Sequence, residues 1–216
     1  MNYTSTIRSF CQNKAGSIID VAQVSEDYFA MVPYKTLLKV LNRLRDEGLL
    51  IPVSKGVYMV KPEASISSDE AIIREYATET RGMLAGNALF RELGLTDYDS
   101  GTTEIYTRLI PKGSHKNIGR YSLTGVNLFF EPELKKLIAL LEIIEKGHTN
   151  PEHNLPGHSV KIMELLSEYT QSRFRSVVEN ISYSYSTIAS LSYFLTLLRK
   201  DDGNCLEIYK EVENGR

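Results

Sequence analysis

The chain has 216 residues, 42% of them hydrophobic and 24% charged, with 25 basic and 27 acidic side chains. That composition is soluble-globular, excludes wholesale disorder, and at roughly 100–200 residues per domain fits one large domain or two small ones. No run approaches the ~20 apolar residues of a bilayer span, and the start Met1-Asn2-Tyr3-Thr4-Ser5-Thr6 lacks the basic-then-apolar pattern of a signal peptide. Cys11 and Cys205 lie at opposite ends, so neither a disulfide framework nor a CxxC metal site is written here, and a reducing cytoplasm is the expected setting.

The formal charge of −2 argues at first against a nucleic-acid partner, because phosphate binding wants a basic surface. The average conceals blocks. Residues 1–61 carry eight Lys/Arg against five Asp/Glu, and residues 62–103 carry three against eight. Residues 104–120 carry four against one, and residues 121–216 carry ten against thirteen. The sign pattern carries more information than the total.

In chain order, Tyr3 to Lys14 predicts a first helix with Ile7 and Phe10 three residues apart. Ala15-Gly16-Ser17 breaks it, and Ser17 to Asp20 reads as a short extended lead into a second small helix. Pro33 favours the first turn of a third helix, along which Leu37, Leu38, Val40, Leu41 and Leu44 form an apolar stripe and after which Gly48 is the stop. Leu49 to Val53 and Val57 to Val60 then predict two strands joined by the tight turn Ser54-Lys55-Gly56. A glycine-ended helix followed by a β-hairpin is the outline of a winged helix. Pro62 to Asp69 reads as a linker.

The second half predicts a helix over about 68–80, with Ile72, Ile73 and Tyr76 on one side, and another over 83–93 closed by Gly94. Two β-rich runs follow, 103–110 and 121–130, with the basic loop Pro111 to Gly119 between them as the connection of a β-hairpin. From Pro132 onward the pattern is helical, at about 133–147, 159–171 and 173–200, with a Pro/Asn/His connection from His148 to Pro156. The last helix would be about 42 Å long at ~1.5 Å per residue. Its seam of Val177, Ile181, Ile188, Leu191, Leu195 and Leu198, flanked by Tyr183, Tyr185 and Tyr193, suits packing within the domain, with dimerisation or a partner groove as the alternative.

The third helix carries the strongest functional signal. Lys35, Thr36, Lys39, Asn42, Arg43 and Asp46 make a polar face opposite the leucines. Lys and Arg neutralise phosphates, and Arg or Asn form bidentate contacts to base edges; the early part of such a helix enters the major groove. Lys55 at the hairpin tip would then reach a phosphate or the minor groove. The plain alternative is the charged outer face of any amphipathic helix; the hairpin in register with Gly48 favours DNA.

Gly16-Ser17-Ile18-Ile19, Val40-Leu41-Asn42-Arg43-Leu44, Glu47-Gly48-Leu49-Leu50 and Ser54-Lys55-Gly56-Val57-Tyr58 resemble the N-terminal winged helix of AbiEi-type antitoxins. The resemblance extends through Gly86-Asn87-Ala88-Leu89, Leu93-Gly94-Leu95-Thr96 and Ile105-Tyr106-Thr107, in a second α/β domain, and covers about residues 15–145. Pro52 stands where the family commonly has a basic residue, and Thr96-Asp97-Tyr98-Asp99 places acid in a turn that is usually uncharged. The resemblance implies an antitoxin of a type IV toxin–antitoxin pair that represses its own operon. It also implies as partner an AbiEii-like nucleotidyltransferase toxin, neutralised through the second domain without need of a stable complex.

Other features carry less. Arg108, Lys112, His115, Lys116 and Arg120 form a second basic block, read either as a further phosphate contact or as a charged hairpin tip that guards a sheet edge. His148, His153 and His158 match no zinc spacing and read as linker residues. Gly82 to Gly86 lacks the Lys-Ser/Thr of a phosphate loop, nothing marks a nucleophile elbow, and Glu75 and Glu79 read as solvated carboxylates.

The expectation is therefore an α+β protein: a winged helix-turn-helix over residues 1–62, then a mixed α/β domain over 68–216 with a helical C-terminal region. Its expected function is operator binding and autorepression, with a homodimer on DNA as one option, and without membrane attachment, cofactor, metal or catalytic residue. Tyr34, Lys35, Thr36, Lys39, Asn42, Arg43 and Lys55 are the expected DNA contacts, with Arg108, Lys112, Lys116 and Arg120 as a second set. The alternatives are a protein-interaction adaptor, a winged-helix regulator unrelated to a toxin, and an enzyme transferring phosphate to the toxin, for which no motif is present.

Overall fold

The computed structural model describes residues 3–78, 80–147, 155–200 and 203–215. The chain divides into two compact units, Met1–Glu75 and Tyr76–Arg216.

In the first unit, helix α1 (Tyr3–Gln12) is followed by strand β1 (Ile18–Asp20), helices α2 (Val21–Asp27) and α3 (Tyr34–Asp46), and strands β2 (Leu50–Ser54) and β3 (Val57–Val60). The three strands form an antiparallel sheet in the order β1-β3-β2. That succession is a winged helix-turn-helix. Asp20 ends the strand and starts the helix at once, because its carboxylate accepts from the Ala22 N–H at 3.2 Å, satisfying one of the amides that a helix start leaves open. The Pro33 carbonyl accepts the first amides of α3, from Thr36 and Leu37, so Pro33 caps the helix from outside rather than lying within its first turn.

Leu37, Val40, Leu41 and Leu44 are buried, Leu38 packs at the margin, and together they seat α3 on a core that includes Ile7, Cys11, Ile19 and Leu50. Gly48 ends the helix in the left-handed region (φ +75°), which lets the Leu49 N–H reach back to the Leu44 carbonyl at 2.9 Å and close the Schellman arrangement. The wing turns at Lys55-Gly56, and a register irregularity between Pro52 and Ser54 relieves the pairing beside it. Pro52 is tolerated because β2 is an outer strand, where a missing N–H need not break a ladder on both sides.

The segment after the wing is irregular until helix α4 (Ser68–Tyr76), which stops short of the expected residue 80; residue 79 lies outside the described residues. In the second unit, strand β4 (Gly82–Ala85) leads into helix α5 (Gly86–Glu92), followed by β5 (Thr103–Thr107), β6 (His115–Ile118) and β7 (Tyr121–Gly125) in a sheet ordered β4-β5-β7-β6. The expected single helix over 83–93 is therefore a strand and a helix. Leu84 and Ala85 pair with Ile105 and Glu104 of β5, and Gly86 (φ +55°) makes the turn between the two geometries.

The expected hairpin between the β-rich runs is also corrected. β5 and β7 lie parallel, and the basic segment between them supplies β6, which pairs antiparallel with β7 on the far edge. Residues 126–130 follow β7 without regular secondary structure, the Val126 N–H still donating to the Thr107 carbonyl of β5 at 2.9 Å.

Helix α6 (Pro132–Lys146) is the centre of the helical region and buries every residue from Leu137 to Ile144, as a helix enclosed by others must. Around the core it anchors are α7 (Leu155–Leu165), a 3-10 turn (Leu166–Glu168), α8 (Gln171–Val178), α9 (Tyr185–Leu197) and α10 (Cys205–Asn214). The expected 42 Å helix does not form. The chain leaves helical geometry after Val178 and restarts at Ser184, whose hydroxyl accepts from the Thr187 N–H as a cap. Val177, Ile181, Ile188, Leu191 and Leu195 are all buried within this unit's own core, so the seam serves internal packing. No helix among the described residues is long and apolar enough to cross a membrane.

Candidate nucleic-acid interface

The expected groove residues share one element and differ sharply from its inner face. Tyr34, Lys35, Lys39, Asn42 and Arg43 are exposed and Thr36 is half-buried, whereas Leu37, Leu41 and Leu44 are 1% exposed or less. At ~100° per residue, Lys35, Lys39, Asn42 and Asp46 fall in one line, with Arg43 beside it, and the line from Lys35 to Arg43 rises about 12 Å. Lys55 stands exposed at the wing turn. Among the described residues, none holds Lys35, Lys39, Asn42, Arg43 or Lys55 in a side-chain hydrogen bond or ion pair.

The next turn of α3 is engaged differently. The Arg45 guanidinium donates to the Asp46 carboxylate at 2.8 Å, and this hydrogen bond raises the already high Arg45 pKa. Arg8 of α1 pairs with Glu47 just past the helix end. The acids of this helix are thus matched to Arg8 and Arg45, leaving the lysines and Arg43 uncompensated. Sequence reasoning passed over both arginines because neither lies on the polar line of α3.

The second basic block is not one patch. Thr107 pairs with Gly125 and Thr103 with Tyr121, so Arg108 follows one end of the sheet and Arg120 precedes the other, roughly 20 Å away at ~3.3 Å per residue. Arg120 sits 3.7 Å from Asp99, a carboxylate held below its ordinary pKa by the Gly101 N–H and by Arg91, and lies over the Tyr121 ring. Lys116 is half-buried on the edge strand β6. Arg108 and Lys112 remain exposed at the first end, the guanidinium of Arg108 lying 5.3 Å from the centroid of the Phe129 ring. The edge role expected of the block as an alternative fits β6, which is the outermost strand.

Beside Lys112 the second unit has a concave surface of about 470 Å³ whose wall includes Asn127, Phe129, Arg173 and Glu179. Arg173 and Phe129 were not singled out in the sequence, because α8 and the segment after β7 meet only in three dimensions. His158 is not a linker residue: it is buried in α7, 5.8 Å from the Phe90 ring centroid. His148 and His153 lie outside the described residues. Among the described residues no cluster of His, Cys, Asp or Glu is arranged to hold a metal ion.

Fold and surface together define a winged-helix protein with a second, mixed α/β unit that ends in helices. No model of a known protein family matches the chain, and no curated protein matches it. A crystal structure of the RV2827C protein from Mycobacterium tuberculosis is similar to it at 14% identity with a TM-score of 0.46, over 98% of this chain and 80% of that one.

Proposed function

We propose that the chain binds DNA sequence-specifically through α3 and the wing, represses its own operon, and acts as the antitoxin of a type IV pair against an AbiEii-like nucleotidyltransferase toxin. One observation supports the DNA-binding part above others. A row of exposed cationic and amide side chains without ion-pair partners among the described residues stands on a helix fixed from behind by buried leucines, with a further lysine at the wing turn. Such a row attracts phosphates and presents groups that read base edges. The antitoxin part rests on the sequence resemblance. The reading assigns binding and no catalytic residue, with operator DNA as the stable partner and the toxin countered without a lasting complex.

A mobility-shift titration with a duplex from upstream of the chain's own gene tests the first part. Retardation of that duplex well below the concentration that shifts a scrambled duplex supports it, and equal affinity for both contradicts sequence-specific binding. Co-expression with the product of the adjacent gene tests the second: a growth defect relieved by this chain supports it, and an unrelieved defect removes it. An adaptor that binds protein through the same unit is the second reading. It is favoured by Tyr28, Met31 and Tyr34, which expose 57%, 89% and 50% of their surface around the turn into α3.

A further inference from the structure

We propose that the concave surface bounded by Lys112, the segment after β7 and α8 binds one nucleotide unit, a base with its single phosphate. It is a site in the second unit that the winged-helix reading does not use. In the segment after β7, burial alternates: Leu128 and Phe130 are 4% and 1% exposed while Phe129 between them is 53% exposed. Two buried anchors therefore hold an aromatic ring on the surface. That ring forms part of the wall of the 470 Å³ concavity, and Arg108 lies over it at 5.3 Å. Aromatic rings and guanidinium planes are the platforms on which unpaired bases stack, and the volume is in the range of small-molecule sites.

The charges around the ring decide what the base carries with it. Lys112 is exposed and makes no ion pair among the described residues, which suits a phosphate. The wall also includes Arg173, whose guanidinium donates to the Glu168 carbonyl at 3.2 Å, and the carboxylates of Glu131 and Glu179. Carboxylates repel a polyphosphate yet accept hydrogen bonds from the exocyclic amines of a base. The mixed charge thus fits an amine-bearing base with one phosphate and disfavours a nucleoside triphosphate. The same unit comes either as a free mononucleotide or as an unpaired residue of a single strand.

The test uses the full chain and two probes whose fluorescence falls on stacking: 2-aminopurine riboside 5′-monophosphate, and a single-stranded octanucleotide with one internal 2-aminopurine. The proposal expects saturable quenching of at least one probe. Phe129→Tyr should keep that affinity within about twofold, while Phe129→Leu, which keeps an apolar side chain and removes the ring, should weaken it about tenfold or more. Lys112→Gln should weaken it further and flatten its salt dependence. Binding of the free nucleotide assigns that source, and binding of the strand alone assigns an unpaired base. The absence of saturable quenching of either probe up to millimolar concentration overturns the proposal, as does a Phe129→Leu variant that binds as well as Phe129→Tyr. Duplex binding through α3 is measured separately, so failure of either reading leaves the other standing.

Discussion

At the scale of single residues, α3 separates two kinds of contribution that one helix usually blends. Leu41 is 1% exposed and packs into the first unit's core, so Leu41→Ala should destabilise the protein by about 2–5 kcal/mol. Lys39 is exposed and unpaired among the described residues, and Lys39→Ala should change stability by no more than about 0.5 kcal/mol. Urea denaturation followed by circular dichroism distinguishes them, and equal losses for both would refute the division of faces. Cys11 offers a second residue-level check. It is fully buried, and burial pushes its thiol pKa up to about 11. The unfolded chain releases that proton near pH ~8.5, so the thiol's contribution to stability is complete below that pH and declines as the pH climbs towards 11. Cys11 should therefore react with a thiol reagent at pH 8 only at the rate of local or global unfolding; rapid stoichiometric labelling of the native protein would contradict its placement.

At the scale of elements, the winged helix was legible in the sequence because each of its boundaries has a local chemical cause. Asp20 caps α2, Pro33 precedes α3, Gly48 stops it, and Gly56 turns the wing; each acts within a few residues of itself. The second unit was less legible because its organisation is non-local. Nothing near Met83 announces a strand, since the partner that makes it one is Tyr106, and the parallel pairing of β5 with β7 depends on β6 stepping out to the sheet edge. The break between α8 and α9 was hidden by an apolar period that runs through Ile181, and the polar groups that stabilise the restart come from elsewhere. Glu145 of α6 accepts from the Ser184 N–H at 3.0 Å, from the Ser184 hydroxyl at 2.8 Å and from the Thr187 hydroxyl. Burial works against the Glu145 charge, yet these hydrogen bonds hold its pKa below the ordinary carboxylate value. A carboxylate with a depressed folded pKa adds stability above its unfolded pKa, and that stability is lost as the pH falls through the folded value. Amide-exchange protection at the start of α9 should accordingly decline below pH ~4.3, and Glu145→Gln should lower protection at neutral pH and flatten the decline. A decline of the same size in the variant would remove Glu145 as its cause. The candidate site divides in the same way: the α3 face was readable from helical spacing, while the Phe129 concavity needed α8 to be brought beside the segment after β7.

At the scale of the whole molecule, the formal charge of −2 conceals a first block, residues 1–61, that carries eight basic against five acidic side chains. The basic excess of residues 1–61 is concentrated by pairing, because Glu47 and Asp46 are taken up by Arg8 and Arg45 while Lys35, Lys39, Arg43 and Lys55 keep their charge for a partner. The second basic block loses that unity, since Arg120 is neutralised near Asp99 and lies at the opposite end of the sheet from Arg108. Each phosphate neutralised contributes about −0.9 to the slope of log affinity against log salt on duplex DNA. Lys116→Gln with Arg120→Gln should therefore leave the slope for the upstream duplex unchanged, and a flatter slope would restore those residues to the interface. The most direct test of the central claim is a fluorescence-anisotropy titration of that duplex with the wild-type chain and with the Lys39→Ala/Arg43→Ala double variant over a series of salt concentrations. The account predicts affinity at least tenfold weaker and a flatter salt slope in a variant whose circular dichroism and urea midpoint match the wild type. Unchanged affinity and slope in that folded variant would contradict it.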